Sequence, residues 1–175
     1  MKLNARQDID AAPAAVFRAL ADFDHWERAA LRRGVDVQRT DPGADTAALP
    51  VSAPRAEPPP WPVAGIAWRI GFSWRGRPRR LAFDLAAIDA PHALRFSGAS
   101  AAAEGTLAID VVALGARRTR LSMSLEVKPR TLAARLFIQS LRLARGRVAT
   151  RFDNAVAFVA ANITDRIARA PRGDR

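Results

Sequence analysis

Few residues in this chain can do chemistry: it has two histidines, no cysteine, and 17 carboxylates against 28 basic side chains. In the run DHWERAALRRG, Asp24, His25 and Glu27 stand close enough to suggest an acid-base pair or part of a metal site. Their spacing argues for a plainer role. Asp24 and Glu27 have the separation of a helix N-cap and its reciprocal partner one turn on, Gly34 suits the position after the helix end, and His25 is adjacent rather than a turn away. His92 follows Pro91 in a turn-forming stretch. The expectation is therefore no catalytic residue, no metal site and no cofactor. Without cysteine there is also no disulfide framework and no thiolate nucleophile.

The elements that would position such groups can be read from hydrophobic period. Leu3, Ala5, Gln7 and Ile9 alternate with polar neighbours as in a half-buried strand. Pro13 opens a helical pattern with Val16, Phe17 and Leu20 on one face, and DHWERAALRRG starts a second short helix. From Ile66 the alternation is clean, with Trp68, Ile70, Phe72 and Trp74 pointing one way and Arg69, Ser73 and Arg75 the other. Leu81, Phe83 and Leu85 repeat the pattern, as do Leu94 and Phe96, then Leu107, Ile109 and Val111, then Leu121, Met123, Leu125 and Val127. The turn signals RGRP, DAPH, GASAAAEG and LGAR separate them. After Pro129 a helical pattern runs to about Ala168, with Phe137, Leu141, Ala144, Val148, Phe152, Ala155 and Val159 on one stripe that should pack on the inward strand face.

The net charge of +11 invites an anionic partner. All basic residues except Lys2 and Lys128 are arginine, so compositional bias accounts for much of it. Within LFIQSLRLARGRVATRF the arginines flank both edges of the apolar stripe, whereas a DNA-reading helix concentrates its basic and amide side chains on one exposed face. Nucleic acid is accordingly not the expected partner. Because successive meander turns alternate ends, Arg75, Arg77, Arg79, Arg80, Lys128 and Arg130 should ring one end of the sheet, a rim suited to peripheral contact with an anionic membrane.

One strand, two short helices, a run of antiparallel strands and a long final helix, most clearly from IDAAPAAVFRALADFDHWERAALRRG, resemble the START-like helix-grip superfamily, also called SRPBCC. The likeness spans about Leu3 to Ala168. It implies an α+β fold in which a curved antiparallel sheet of about seven strands wraps around the C-terminal helix, with an apolar cavity between them. Members include lipid carriers, polyketide cyclases, quinone-binding proteins and hormone receptors. Cyclase-like members place polar or ionisable groups in the cavity; here the inward parity is almost wholly apolar, with Gln7 the only clearly inward polar strand residue. The segment 41–64, with seven prolines, departs from the pattern as an inserted extended loop, mobile or laid over the sheet through Trp61 and outside the core.

These observations lead to an expected single domain over residues 1–168 with a flexible tail at 169–175. Its expected function is non-catalytic binding or carriage of a hydrophobic or amphiphilic small molecule such as a lipid, quinone or polyketide-like compound. The candidate ligand-binding residues are Gln7, Trp68, Ile70, Phe72, Trp74, Phe83, Leu85, Phe96, Leu107, Ile109, Met123, Leu125, Phe137, Leu141 and Phe152. Alternatives are a cyclase or dehydratase, a nucleic-acid binder, or a dimer-forming module using Leu132, Leu136, Ile138 and Leu143, which lie off the stripe. An N-terminus without an apolar signal core, and no apolar run of about 18 residues, predict a soluble cytoplasmic protein.

Overall fold

In a computed structural model of the chain, residues 1–40, 61–62, 64–74 and 76–170 are described, Trp74 by its backbone only. The elements run β1 (Lys2–Ile9), α1 (Pro13–Ala21), α2 (Phe23–Leu31), β2 (Asp36–Thr40), β3 (Ala67–Trp74), β4 (Arg77–Asp89), β5 (Ala93–Ala99), β6 (Ala103–Gly115), β7 (Arg118–Pro129), α3 (Leu132–Leu143) and α4 (Arg145–Arg169). The strands form one antiparallel sheet in the order β1-β7-β6-β5-β4-β3-β2. This is the helix-grip arrangement, with the helices on the concave face. Each strand alternates side chains between that inner face and a solvated outer one, as the period of two requires.

The meander gives the sheet two distinct ends. The β3–β4 and β5–β6 turns and the start of α3 share one, here the α3 end; the β4–β5 and β6–β7 turns share the other with the link into α1. At the α1 end the Thr119 hydroxyl, fully buried, donates to the Ala11 carbonyl at 2.7 Å and ties β7 to that link. At the α3 end the Arg130 N–H donates to the Ala102 carbonyl at 2.9 Å and fixes where α3 departs. Strands β6 and β7 approach so closely near Gly105 that a Cβ there would lie 2.7 Å from the Glu126 carbonyl oxygen, so only glycine fits without backbone movement.

Several local expectations are corrected. The cap of α2 is Asp22, whose carboxylate accepts from the His25 N–H at 3.1 Å, so Asp24 and Glu27 do not form the capping pair. They are free to hold Arg39, at 2.6 and 3.1 Å respectively. The final helix is two helices, broken at Ala144 (φ −100°, ψ 25°), and the break changes the phase of the apolar stripe. The buried positions are Ile138 on α3 and Val156, Ala160 and Ile163 on α4, while Phe137 is 52% exposed and Ala155 faces solvent. Gln7 has company as an inward polar residue in Thr119. Edge strand β2 was not foreseen as an element; only Val37 among its residues is even half-buried. Trp61 stands edge-on against Phe17 of α1 at 5.1 Å and packs on the core, instead of lying over the sheet outside it. Most of the expected loop at 41–64, and the tail from 171, lie outside the described residues.

Candidate functional site

Strand register sorts the inner face into rows. Leu85, Phe96, Leu107, Leu125 and Leu3 form one row across five strands. The next, nearer the α3 end, runs Trp68, Phe83, Gly98, Gly105 and Val127; beyond it Ile70 stands beside Leu81, and Phe72 beside Arg79. Burial falls along this direction. At the α1 end Ile9, Leu94, Val111 and Leu121 are at most 3% exposed; the Leu85 row is mixed, with Leu85 sealed but Leu107 and Leu125 half-buried, and beyond it Phe83, Leu81 and Ile70 are half-buried and Phe72 is 37% exposed. The reason lies in the helices: α1 packs on β6, β7 and α4, while α4 lies chiefly along β1 and α3 along β7. Among the described residues, an apolar part of the inner face toward the α3 end is therefore incompletely covered.

An aromatic cluster forms the floor between the two halves. Phe23 of α2 meets Trp68 edge-on at 5.1 Å, and Phe83 stacks on Phe96 at 4.9 Å with 7° between the rings. Gly98 makes that stack possible, since a Cβ there would sit 3.3 Å from the Phe83 ring. The Trp68 indole N–H donates to Glu27 Oε1 at 2.6 Å, and the same oxygen accepts from Arg39. This satisfies the buried indole and orients its ring.

The charged groups mostly serve the scaffold. A second polar cluster joins α2 to α4: Arg166 pairs with Asp22 and donates to the Ala19 carbonyl at 2.8 Å, which also accepts from the Trp26 indole at 3.2 Å. Beside it, His25 Nε2 and the Asn162 amide oxygen are buried without hydrogen-bond partners among the described residues. Burial, followed by the neighbouring Arg166 charge, pushes the His25 pKa down. On the outer face, the hydrogen bond from Arg120 holds the Asp8 carboxyl below its ordinary range, with Arg118 adding to the effect. Among the described residues no group of three His, Cys, Asp or Glu could hold a metal ion.

Of the residues expected to contact a ligand, Trp68, Leu85, Phe96, Ile109 and Met123 are buried in the core. Gln7, Ile70, Phe83, Leu107, Leu125, Leu141 and Phe152 are half-buried, Phe72 and Phe137 are exposed, and the Trp74 side chain lies outside the described residues. Arg77, Arg79, Arg80, Lys128 and Arg130 are all exposed at the α3 end, and Arg75 lies outside the described residues. Register puts Arg79, opposite Phe72, and Arg77, opposite Trp74, on the inner side, with Arg80 outside. An open pocket of about 650 Å³ at this end is walled by Asp36, Arg69, Arg80 and Arg130. Its residues belong mainly to the outer parity, so it is distinct from the apolar half-face. The sequence reading missed Thr119, although it lies two residues before Leu121 on the same alternation.

The fold is shared with solved structures of low sequence identity. TTHA0849 from Thermus thermophilus is 14% identical, with 98% of this chain and 99% of that one covered at a TM-score of 0.63. The ZhuI aromatase/cyclase from Streptomyces sp. R1128 is 14% identical, with 99% of each chain covered and a TM-score of 0.62. Truncated norcoclaurine synthase from Thalictrum flavum is 11% identical, with 98% and 95% covered and a TM-score of 0.61. No curated protein matches the chain by sequence. The model of one family, described as polyketide cyclase / dehydrase and lipid transport, matches residues 1–164. With that match over nearly the whole helix-grip domain, the chain belongs to this family.

Proposed function

We propose that the protein binds and carries a hydrophobic or amphiphilic small molecule on the inner face of its sheet, without covalent chemistry. The observation that carries this reading is the half-covered apolar surface of Ile70, Phe72, Leu81 and Phe83, neighbours by strand register, which the Phe83–Phe96 stack joins to Leu107 and Leu125 in the next row. Such a surface is favourable to cover: burying one aliphatic or aromatic side chain contributes about 1.5–3 kcal/mol. Arg79, next to Phe72 on the inner parity, with Arg77 beyond it, would meet an acidic head group at the mouth. Fatty acids, anionic lipids and polyketide-like acids have this form, whereas a quinone would offer a polar but uncharged head.

A catalytic reading draws on the cyclase and synthase among similar folds, and on one feature of this chain, the half-buried Glu27 carboxylate beside the aromatic floor. Against it, the Glu27 oxygen that meets the floor is engaged by both Trp68 and Arg39. No acid-base pair faces the apolar surface among the described residues.

Native mass spectrometry of gently purified protein should reveal a retained hydrophobic mass, and anilinonaphthalenesulfonate should bind and be displaced by fatty acid. Protein that is ligand-free and silent toward the probe would sink the proposal. Turnover of an aromatic polyketide or aldehyde substrate that Glu27→Gln abolishes would replace it with the catalytic one.

A further inference from the structure

Helix α3 carries a second apolar stripe on the side away from the core. At 100° per residue, Leu132, Leu136 and Leu143 fall within about 40° of one another, roughly opposite Ala134, Ile138 and Leu141, the side that packs inward. The three leucines are 76%, 67% and 92% exposed. Arg135 and Arg142 flank the stripe on one side. From Arg130 to Phe152 there are six arginines and no Asp or Glu, and none of the six has a carboxylate partner among the described residues. An exposed leucine stripe bordered by uncompensated arginines is the composition of a helix that lies in a lipid interface, with leucines among the acyl chains and guanidinium groups at the phosphates.

We infer that α3 docks the protein onto an anionic bilayer surface. Charge complementarity selects this occupant. Two copies meeting through the stripe would bring their unpaired arginines together, whereas an anionic leaflet attracts them and accepts the leucines. A nucleic acid would use the arginines and leave the leucines without a partner. Docking would also turn the open half of the inner face toward the membrane, since α3 departs from the sheet at the same end. The inference does not depend on the ligand proposed above.

The test is co-sedimentation of the full chain with phosphatidylcholine vesicles, with and without about 30 mol% phosphatidylserine, at low and at ~0.15 M ionic strength. The protein should bind the anionic vesicles and bind pure phosphatidylcholine much less. Replacing Leu132, Leu136 and Leu143 together with serine should weaken binding by about ten-fold or more without shifting the melting temperature, because these side chains are exposed. Arg135→Gln with Arg142→Gln should weaken it several-fold, with the difference shrinking as salt rises. No binding to anionic vesicles at low salt, or full binding by the serine variant, would overturn the inference. So would a wild-type dimer in sedimentation velocity that the serine variant dissolves while vesicle binding stays absent, which would assign the stripe to self-association. Binding to duplex DNA at equal strength, indifferent to the leucines, would likewise overturn it.

Discussion

The two halves of the inner face are written in the same code and end in different states. Leu85 and Phe83 are successive inner-face residues of β4, Leu121 and Leu125 stand on either side of Met123 on β7, and all four keep the same alternation. Leu85 and Leu121 are sealed beneath the helices, whereas Phe83 and Leu125 remain partly accessible. Strand periodicity thus decides which face a side chain takes, and helix placement decides whether it holds the fold together or stays free for a partner. One half should govern stability and the other binding.

The largest loss of stability is expected in the sealed half. Phe17→Ala, at a fully buried site of α1, should destabilise by about 3–5 kcal/mol in chemical denaturation. A loss below about 1 kcal/mol there would mean that the sealed half is not the stabilising one. At the boundary, Gly105→Ala should cost about 1–3 kcal/mol by forcing β6 away from the Glu126 carbonyl, measured by thermal melting. In the open half, Phe83→Ala should cost less than Phe17→Ala and instead weaken hydrophobic-probe binding; a large stability loss with binding intact would reverse the assignment.

The smallest expected effect is that of pH. His25, its pKa lowered in the folded protein below the ordinary 6.5, binds fewer protons there than in the unfolded chain. Unfolding therefore takes up a proton as pH falls through that region, and the contribution of neutral His25, complete above about pH 6.5, is lost toward acid. Melting temperatures between about pH 8 and pH 5 should decline for the wild type and decline less steeply for His25→Gln. Parallel profiles would show that burial at the α2–α4 contact does not control the titration.

Much of the fold was legible because its signals are local. The alternation from Ile66 to Val127 marked the strands of the meander, and the order of elements pointed to the helix grip. What escaped notice was ambiguous over a few residues. Asp22 and Asp24 are both plausible caps, and the chain chose the one that lets Asp24 and Glu27 reach Arg39 from β2. The break at Ala144 has no proline to announce it, so a continuous wheel through Phe137 and Phe152 assigned Phe137 to the core and Ile138 to the off-stripe dimer candidates, the reverse of what burial shows. The polar edge strand DVQRT has too little apolar content to stand out.

By itself, then, the sequence determined the alternating faces, the turns between strands, the basic end of the sheet and the family of folds, since each follows from spacing along the chain. Only the tertiary structure decided that Leu121 is sealed and Leu125 is not, and that the leucines of α3 face away from the protein. Those outcomes depend on where α1, α3 and α4 cross a sheet whose strands lie far apart in sequence. Burial is a property of such non-local contacts, and no period within one segment encodes it.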